Sequence, residues 1–179
     1  MSLAPIVLFV YNRLSHTERT INSLRNNKLA EASELFIYSD YAKNKDSKRE
    51  VQEVRDYISR IKGFKKITII YREENFGLAN SIVAGVTEVV NKYGKIIVLE
   101  DDIVTSPFFL KFMNDALDFY QENNTVWHIS GWNYPINQDK IEDVFLWRLM
   151  NCWGWATSVS YTHLRAHETP EHLVCRLLL

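Results

Sequence analysis

The sequence predicts an α/β fold in which helices cover both faces of a mostly parallel sheet, a three-layer α/β/α arrangement. Short apolar runs rich in Val, Ile, Leu and Phe alternate along the chain with segments whose apolar residues recur at helical spacing. Polar residues follow each of the first four apolar runs. Because strands that alternate with helices form βαβ units with parallel strands, the pattern favours a single open sheet.

Composition excludes several classes of protein. The chain has 179 residues, which is about one domain, and it is 46% hydrophobic and 24% charged, as globular proteins are. Its net charge of −1 gives no electrostatic reason to bind nucleic acid or an anionic membrane. No apolar run approaches the roughly 20 residues that span a bilayer, and the two cysteines are too few for a disulfide framework. We therefore expect a cytoplasmic protein without a transmembrane segment, peripheral to a membrane at most.

Six segments are predicted to form strands. The first and fourth are continuous apolar runs, which is typical of strands covered on both faces. The predicted strands are residues 5–11, 34–40, 66–72, 96–99, 126–130 and 143–148.

Four helices are predicted between these strands. Ser15 and Glu18 form a capping box that would open the first helix, and Gly63 and Gly94 would end the second and third. Ser106, which is followed by proline, would cap the fourth. Apolar side chains at helical spacing would face the core from the second and fourth helices: Val51, Val54, Ile58 and Ile61, and Phe109, Met113, Ala116, Leu117 and Tyr120.

Polar side chains of both signs are predicted to gather at one edge of the sheet. In parallel sheets, ligands bind beyond the carboxyl ends of the strands, where the connecting loops converge. The residues at the ends of the first four strands combine basic, acidic and amide side chains, which is typical of a nucleotide site. They are Tyr11, Asn12 and Arg13 at the end of the first strand, Asp40 at the end of the second, Arg72 at the end of the third with Asn75 and Gly77 nearby, and Glu100, Asp101 and Asp102 at the end of the fourth.

Three consecutive carboxylates follow the buried fourth strand, at Glu100, Asp101 and Asp102, and they require a positive partner there. Mg²⁺ and Mn²⁺ take oxygen ligands, often from only one or two protein carboxylates, with substrate phosphates and water completing the shell. Adjacent strand residues point to opposite faces, so one aspartate would touch the metal and the other a ribose hydroxyl or a water. A solvated acidic loop is the alternative interpretation.

Ordered motifs along residues 5–157 resemble those of the GT-A glycosyltransferases, of the N-acetylglucosaminyltransferase I and glycosyltransferase family 2 type. The matching stretches are VYNRLSHTERTINSL, FIYSD, KIIVLEDDIVTSPFFLKFM, VWHISGWN and NCWGWAT, and EDD is a form of the D-x-D metal motif. The resemblance implies a Rossmann-like nucleotide-diphospho-sugar transferase fold. Inverting members place their general base beyond the last of these stretches, so we expect the fold to be truncated here and assign no catalytic residue.

The resemblance also implies roles for individual residues. Arg13 would contact the diphosphate, Asp40 the uracil ring and Asp102 the metal ion. Asp101 and Glu100 would contact the ribose, the donor sugar or groups around the metal. The remaining residues implied in nucleotide-sugar binding are Tyr11, Asn12, Arg72, Asn75, Gly77 and Asn80.

The activity implied by the resemblance is metal-dependent transfer of a sugar, GlcNAc or another hexose, from a UDP-sugar to a glycan hydroxyl with inversion, in polysaccharide synthesis. Mn²⁺ or Mg²⁺ is the expected cofactor. A nucleotidyltransferase shares the architecture but carries a glycine-rich basic loop where this chain has NRLSHTER. A non-catalytic nucleotide-sugar-binding module differs only in turnover. A receiver domain would place its phosphorylated acid after the third strand, where Arg72 stands.

The last part of the chain changes in character. VSYTHLRAHETPEHLVCRLLL, residues 159–179, holds three of the five histidines, but their spacing does not fit the helical H-E-x-x-H zinc motif. The string resembles a translated sequencing adapter. We therefore expect a donor-binding domain over residues 1–157 and a non-native tail over residues 158–179.

Overall fold

Six strands form one mixed sheet in the computed structural model, which describes residues 2–123, 125–135 and 144–159. The strands are β1 (Ile6–Val10), β2 (Glu34–Ser39), β3 (Lys66–Tyr71), β4 (Lys95–Glu100), β5 (Ile129–Ser130) and β6 (Trp155–Ser158). They lie in the order β3-β2-β1-β4-β6-β5. The first four strands are mutually parallel, and β6 runs antiparallel to β4 and to β5. The mostly parallel sheet is therefore confirmed.

Four helices cover the two faces of this sheet. They are α1 (Leu14–Arg25), α2 (Lys48–Ile58), α3 (Gly77–Tyr93) and α4 (Phe109–Phe119). One apolar cluster joins alternate residues of β1, including Leu8, to α1, α2 and α4. The other joins the intervening residues, including Val7 and Phe9, to α3. The predicted three-layer α/β/α architecture is confirmed.

Burial of β1 explains why its sequence is continuously apolar. All five of its residues are 3% exposed or less, because β2 and β4 flank the strand while helices cover both of its faces. On the α3 side the helix approaches closely at Gly85, where an added Cβ would lie 2.9 Å from the ring of Phe9. Full burial of one such aliphatic side chain contributes about 1.5–3 kcal/mol.

Helix ends differ from the sequence prediction in three places. The prediction of a capping box is wrong, because α1 begins at Leu14 and Ser15 lies inside its first turn. The residue before the helix, Arg13, makes no side-chain capping hydrogen bond. The second helix ends at Ile58, well before Gly63, which has a φ of 102° and lies against the side chain of Arg25.

The third and fourth helices show how reliable each end pattern is. Gly94 closes α3 as predicted, with a φ of 78° and its N–H donating to the Val90 carbonyl. By contrast, α4 begins at Phe109, and Ser106 contributes only its backbone carbonyl, which accepts from the Phe109 N–H. Of the predicted stripe, Phe109, Met113 and Leu117 are buried, while Ala116 and Tyr120 are half-buried.

The antiparallel side of the sheet was predicted least well. Only residues 129–130 of the expected strand 126–130 pair, and residues 144–148 form no strand, while residue 143 lies outside the described residues. The sequence prediction did not include β6. Ser158 belongs to β6, and the Val159 N–H donates to the Gly94 carbonyl over 2.8 Å, so the expected domain boundary after residue 157 falls inside this strand. Residues 160–179 lie outside the described residues.

No helix in the described parts of the chain combines the length and the apolar character needed to cross a bilayer.

Candidate functional site

The carboxyl ends of β1, β2 and β4 lie level with one another at one edge of the sheet. Val10 of β1 pairs with Ser39 of β2, and Phe9 pairs with Glu100 of β4. Asp40 and Asp101 therefore follow strands on either side of β1. Neighbouring strands lie about 5 Å apart, so the ends of β2 and β4 are separated by about 10 Å. We call this edge the rim.

Arg13 is the positive partner that the acidic cluster requires. It is the residue immediately before α1, and its Nη2 donates hydrogen bonds to Asp101 Oδ1 and to Asp102 Oδ2, the latter over 3.0 Å. The pairing raises the pKa of the guanidinium, chiefly through the hydrogen bond to Asp101. We refer to this three-residue contact as the Arg13 bridge.

The two aspartates of the bridge differ in their access to solvent. The Asp101 side chain is 6% exposed and that of Asp102 is 44% exposed. Asp101 is fixed through its side chain by Arg13 and through its backbone by Thr20, whose Oγ1 donates to the Asp101 carbonyl over 2.8 Å. Its second carboxylate oxygen, Oδ2, is buried and has no hydrogen-bond partner among the described residues. An exposed carboxylate beside a buried oxygen that lacks a partner is a donor set that suits a hard divalent cation.

Glu100 completes the acidic cluster. Burial raises the pKa of its carboxyl group, the charges of Asp102 and Asp101 raise it further, and Arg13 opposes them. Within the described residues, no group of three or more His, Cys, Asp or Glu side chains is arranged to hold a metal ion. A cation at the rim would therefore use one or two carboxylates and take its other ligands from a bound phosphate and water.

Asp40 caps the third helix. Its Oδ1 accepts from the backbone N–H groups of Tyr41 and Phe76, both over 2.9 Å. Its Oδ2 accepts from the Gly77 N–H over 2.9 Å and from Asn75 Nδ2 over 3.1 Å. Asp40 is 7% exposed, so this carboxylate fixes the start of α3 to the end of β2. The structure thus brings Asp40, Asn75 and Gly77 together, in a structural role that the sequence analysis missed.

Arg72 and Asn80 lie at the same start of α3. The Arg72 guanidinium lies over the rings of Phe76, at 4.4 Å, and Tyr38, at 5.3 Å. Its Nε is buried and has no hydrogen-bond partner among the described residues. Asn80 is exposed and donates from Nδ2 to the Phe76 carbonyl over 3.0 Å. Arg72 therefore stands beside the Asp40 cap with donor capacity to spare.

Tyr11 and Asn12 hold the loop that follows β2. The Tyr11 hydroxyl donates to Ser47 Oγ over 3.1 Å and accepts from the Lys43 N–H over 3.0 Å. Asn12 Nδ2 donates to a carboxylate oxygen of Glu50 in α2. Both side chains lie at the rim, and both contact protein groups there.

Arg55 is a rim residue that the sequence analysis missed. From α2, its Nη2 donates to the carbonyls of Ser39 and Asp40, both over 3.4 Å, and to that of Arg72 over 2.8 Å. The guanidinium lies between the rings of Tyr41 and Tyr71, at 5.5 and 5.2 Å. It joins the ends of β2 and β3. The only pattern that could have pointed to it is its position next to the buried Val51–Val54–Ile58 stripe.

Replacing Arg55 with methionine should lower the free energy of unfolding by about 2 kcal/mol, because three strand-end carbonyls lose a charged donor. Urea unfolding measures the change. Arg49 on the same helix is the matched control, since its pair with Glu53 is an exposed (i, i+4) contact worth a few tenths of a kcal/mol, about 0.3–0.5. Equal losses in Arg55→Met and Arg49→Met would contradict the bracing role.

His128, just before β5, is held in its neutral form. Burial lowers the pKa of the imidazole to about 4, although the hydrogen bond to the Asn151 carbonyl opposes this. Nε2 lies 2.9 Å from that carbonyl oxygen, and the ring stacks on Trp155 at 5.4 Å between centroids. The residue supports the antiparallel edge of the sheet and does not reach the rim acids through any described contact.

The strand order, the three layers and the acids beyond β4 define a GT-A-like α/β fold, the class found in nucleotide-sugar transferases. The chain belongs to glycosyl transferase family 2, whose family model matches residues 6–166. No curated protein matches the sequence.

Solved structures share the fold at low sequence identity. A mannosyltransferase from Pyrobaculum calidifontis, in complex with GDP-Man and Mn²⁺, is 11% identical, has a TM-score of 0.59 and aligns over 87% of this chain and 44% of its own. TarS residues 1–349 from S. aureus is 16% identical, has a TM-score of 0.55 and aligns over 96% of this chain and 51% of its own. This chain thus spans about half the length of each of these two solved chains.

Proposed function

We propose that this domain binds a UDP-sugar at the rim and transfers the sugar, GlcNAc or another hexose, with inversion to a hydroxyl of a glycan acceptor in polysaccharide synthesis. The observation that carries the proposal is the Arg13 bridge, in which a half-exposed guanidinium and the exposed Asp102 carboxylate share one edge of the sheet. Membership of glycosyl transferase family 2 supports it. The domain would act in the cytoplasm, peripheral to a membrane at most.

The rim offers separate places for the two parts of a nucleoside diphosphate, because the ends of β3, β2, β1 and β4 follow one another along this edge. We place the base near Asp40 and Arg72 at the ends of β2 and β3, and the diphosphate near Arg13, between the ends of β1 and β4. The half-buried Arg72 guanidinium lies 4.4 Å from the centroid of the partly exposed Phe76 ring, and this pair offers a flat surface against which a base could lie. Asp40 already accepts four hydrogen bonds, so it would act on the base mainly by holding Asn75 and the start of α3 in place. The side chains of Tyr11 and Asn12 would hold the loop after β2 against the nucleotide.

Mn²⁺ or Mg²⁺ would be held by Asp102, with Asp101 and Glu100 beside it. When bound, such an ion offsets the negative charge that develops on a departing diphosphate. The structural neighbour solved with GDP-Man and Mn²⁺ supports this choice. Arg13 would bind the diphosphate through a charge-assisted, two-pronged contact of the kind that guanidinium groups make with phosphates. We assign the general base to no described residue.

An apolar groove beside the rim is our candidate for the acceptor. It has a volume of about 980 Å³ and lies between α4 and the segments on either side of β5. Its lining includes Trp127, Trp132, Tyr134 and Trp147. Aromatic faces of this kind pack against the C–H faces of sugar rings, which suits a glycan.

Calorimetric titration tests the proposed function. UDP and UDP-GlcNAc should bind at least about tenfold more tightly with Mn²⁺ than with EDTA, since the ion bridges phosphate and carboxylate. Titration with GDP-mannose tests the expected preference for uracil over guanine, and we expect GDP-mannose to bind more weakly than the uridine nucleotides. Absence of UDP binding under both conditions would contradict the proposal.

Activity assays separate the remaining alternatives. Sugar transfer from UDP-GlcNAc to any glycan would exclude a non-catalytic binding module. Release of diphosphate from a nucleoside triphosphate in the presence of a sugar phosphate would instead favour the nucleotidyltransferase. The predicted non-native tail over residues 158–179 stays a prediction, which sequencing of the source gene tests.

A further inference from the structure

A single nitrogen atom stands between the two carboxylates that would hold a metal ion. Arg13 Nη2 donates both to Asp101 Oδ1 and to Asp102 Oδ2. Each donation occupies a carboxylate group to which a cation would otherwise bind, although Asp101 Oδ2 itself accepts no described hydrogen bond. We propose that the Arg13 bridge blocks metal binding until a diphosphate draws Arg13 away, so that metal and nucleotide bind with positive coupling. The proposal rests on the proposed function, because it assumes that the rim binds both.

Opening the bridge requires only side-chain atoms to move. The Arg13 carbonyl is fixed to α1, since it accepts from the N–H and the Oγ1 of Thr17 over 3.0 and 2.9 Å. The Asp101 backbone is fixed to the same helix through Thr20. The Arg13 side chain is 46% exposed, so water can solvate the guanidinium as it leaves. The rim backbone therefore keeps its shape while the bridge opens.

The bridge and a bound metal exclude each other for electrostatic reasons. A divalent cation and a guanidinium that bind the same two carboxylates would lie a few ångströms apart and would repel each other strongly. Without Arg13, however, the nearly buried Asp101 carboxylate would have no positive partner among the described hydrogen bonds and ion pairs. The bridge thus neutralises Asp101 in the absence of metal and must be exchanged for the ion when metal binds.

A diphosphate is the ligand that removes this competition. It offers Arg13 several anionic oxygens outside the carboxylate pair, and guanidinium groups bind such oxygens in a fork geometry. Withdrawal of Arg13 exposes Asp101 and Asp102 to the cation. By thermodynamic reciprocity, metal that binds first frees Arg13 for the diphosphate to the same extent.

Direct coordination of the phosphates by the metal would also couple the two ligands. The contribution of the bridge is therefore measured without nucleotide, where direct coordination is absent. Titration of Mn²⁺ alone into Arg13→Gln should give an affinity about tenfold higher than in the wild-type protein, a coupling of ordinary size. The enhancement of Mn²⁺ affinity by UDP should be correspondingly smaller in the variant.

A matched control separates this competition from a general effect of charge. Arg19 is exposed on the same helix, and Arg19→Gln removes the same unit of positive charge without touching the bridge. It should change the Mn²⁺ affinity less than about twofold, because exposed charges away from the site are screened by salt. An equal gain in Arg19→Gln would overturn the proposal.

The wild-type protein supplies a readout that does not require Arg13→Gln to fold, because the conservative Arg13→Lys variant is used only for assignment. The Arg13 Nε–Hε resonance, assigned by its loss in Arg13→Lys, should shift when Mg²⁺ alone is added and also when UDP alone is added. Unchanged Arg13 resonances at saturating Mg²⁺, or an Arg13→Gln protein that binds Mn²⁺ no more tightly than wild type, would overturn the bridge while UDP binding stands. Failure of UDP and of Mn²⁺ to bind to any of these proteins would instead overturn the proposed function itself.

Discussion

Replacing Asp40 with alanine is expected to destabilise the protein by about 3 kcal/mol, because two backbone N–H groups at the start of α3 lose their acceptor and a buried cap is removed. The Gly77 and Phe76 N–H groups both donate to this carboxylate. Chemical denaturation at a pH near neutrality measures the change. UDP affinity should fall as well, since Asn75 and the start of α3 lose their anchor, while the affinity for free Mn²⁺ should change little.

A nearby acid provides the control for Asp40. Asp46 lies in the loop after β2 and is exposed, so Asp46→Ala should change stability by less than about 0.5 kcal/mol. Asn75→Ala removes one of the four hydrogen bonds to Asp40 and should produce a smaller loss than Asp40→Ala, which keeps the test informative if the latter fails to fold. If Asp40→Ala were as stable as the wild-type protein, Asp40 would not be the cap of α3.

Replacing Asp102 with alanine should have the opposite profile, with a large effect on binding and a small one on folding. We expect the Mn²⁺ affinity to fall at least about tenfold, as removal of residues around metal sites commonly does. The Mn²⁺-dependent gain in UDP affinity should disappear. Stability should change by less than about 1 kcal/mol, because the pair with Arg13 is half-exposed on both sides. Calorimetry and denaturation on the same preparation measure both effects.

An exposed acid on another helix is the control for Asp102. Asp115 pairs with Lys111 on α4 in an exposed (i, i+4) contact. Asp115→Ala changes the net charge equally and should leave Mn²⁺ binding unaltered. If Asp102→Ala kept full Mn²⁺-dependent UDP affinity, the aspartate would not be the metal ligand.

Local patterns were sufficient to predict the centre of the fold. The continuous apolar runs of β1 and β4 indicated strands covered on both faces, and both strands are buried in that way. Gly94 ended α3 as predicted, because glycine adopts the positive φ that closes a helix without strain. Such features depend on neighbours a few residues apart, and the sequence displays them directly.

The errors at helix ends came from sequence patterns that occur both at a helix end and elsewhere. Ser15 with Glu18, and Ser106 before Pro107, have the composition of helix starts, yet neither serine caps its helix through its side chain. The prediction that Gly63 ends the second helix was also wrong, because Gly63 has a positive φ but α2 already ends at Ile58. Packing against the sheet, and not the cap, decides where these helices begin and end.

The sequence predicted which residues lie at the rim, but it did not predict which of them form hydrogen bonds and ion pairs with one another. That Arg13, Asp40 and the three acids share one edge follows from parallel strands of alternating βαβ order. Their partners do not follow: Asp40 bonds to residues 36 and 37 positions later, and Arg13 bonds to residues 88 and 89 positions later. The sequence hardly indicates the role of Arg55 at the rim, because the groups to which it donates are mainly backbone carbonyls, which every residue has.

Hydrophobic periodicity thus predicts, from the chain alone, the four parallel strands and the four helices, and it places charged residues at the ends of those strands. The pairing of Arg13 with two carboxylates, the use of Asp40 as a cap and the antiparallel β6 beside β4 required the folded arrangement. The physical reason is that burial is a property of a segment, whereas an ion pair or a strand pairing belongs to two segments. Their separation in space depends on the order of the sheet, which no local pattern contains.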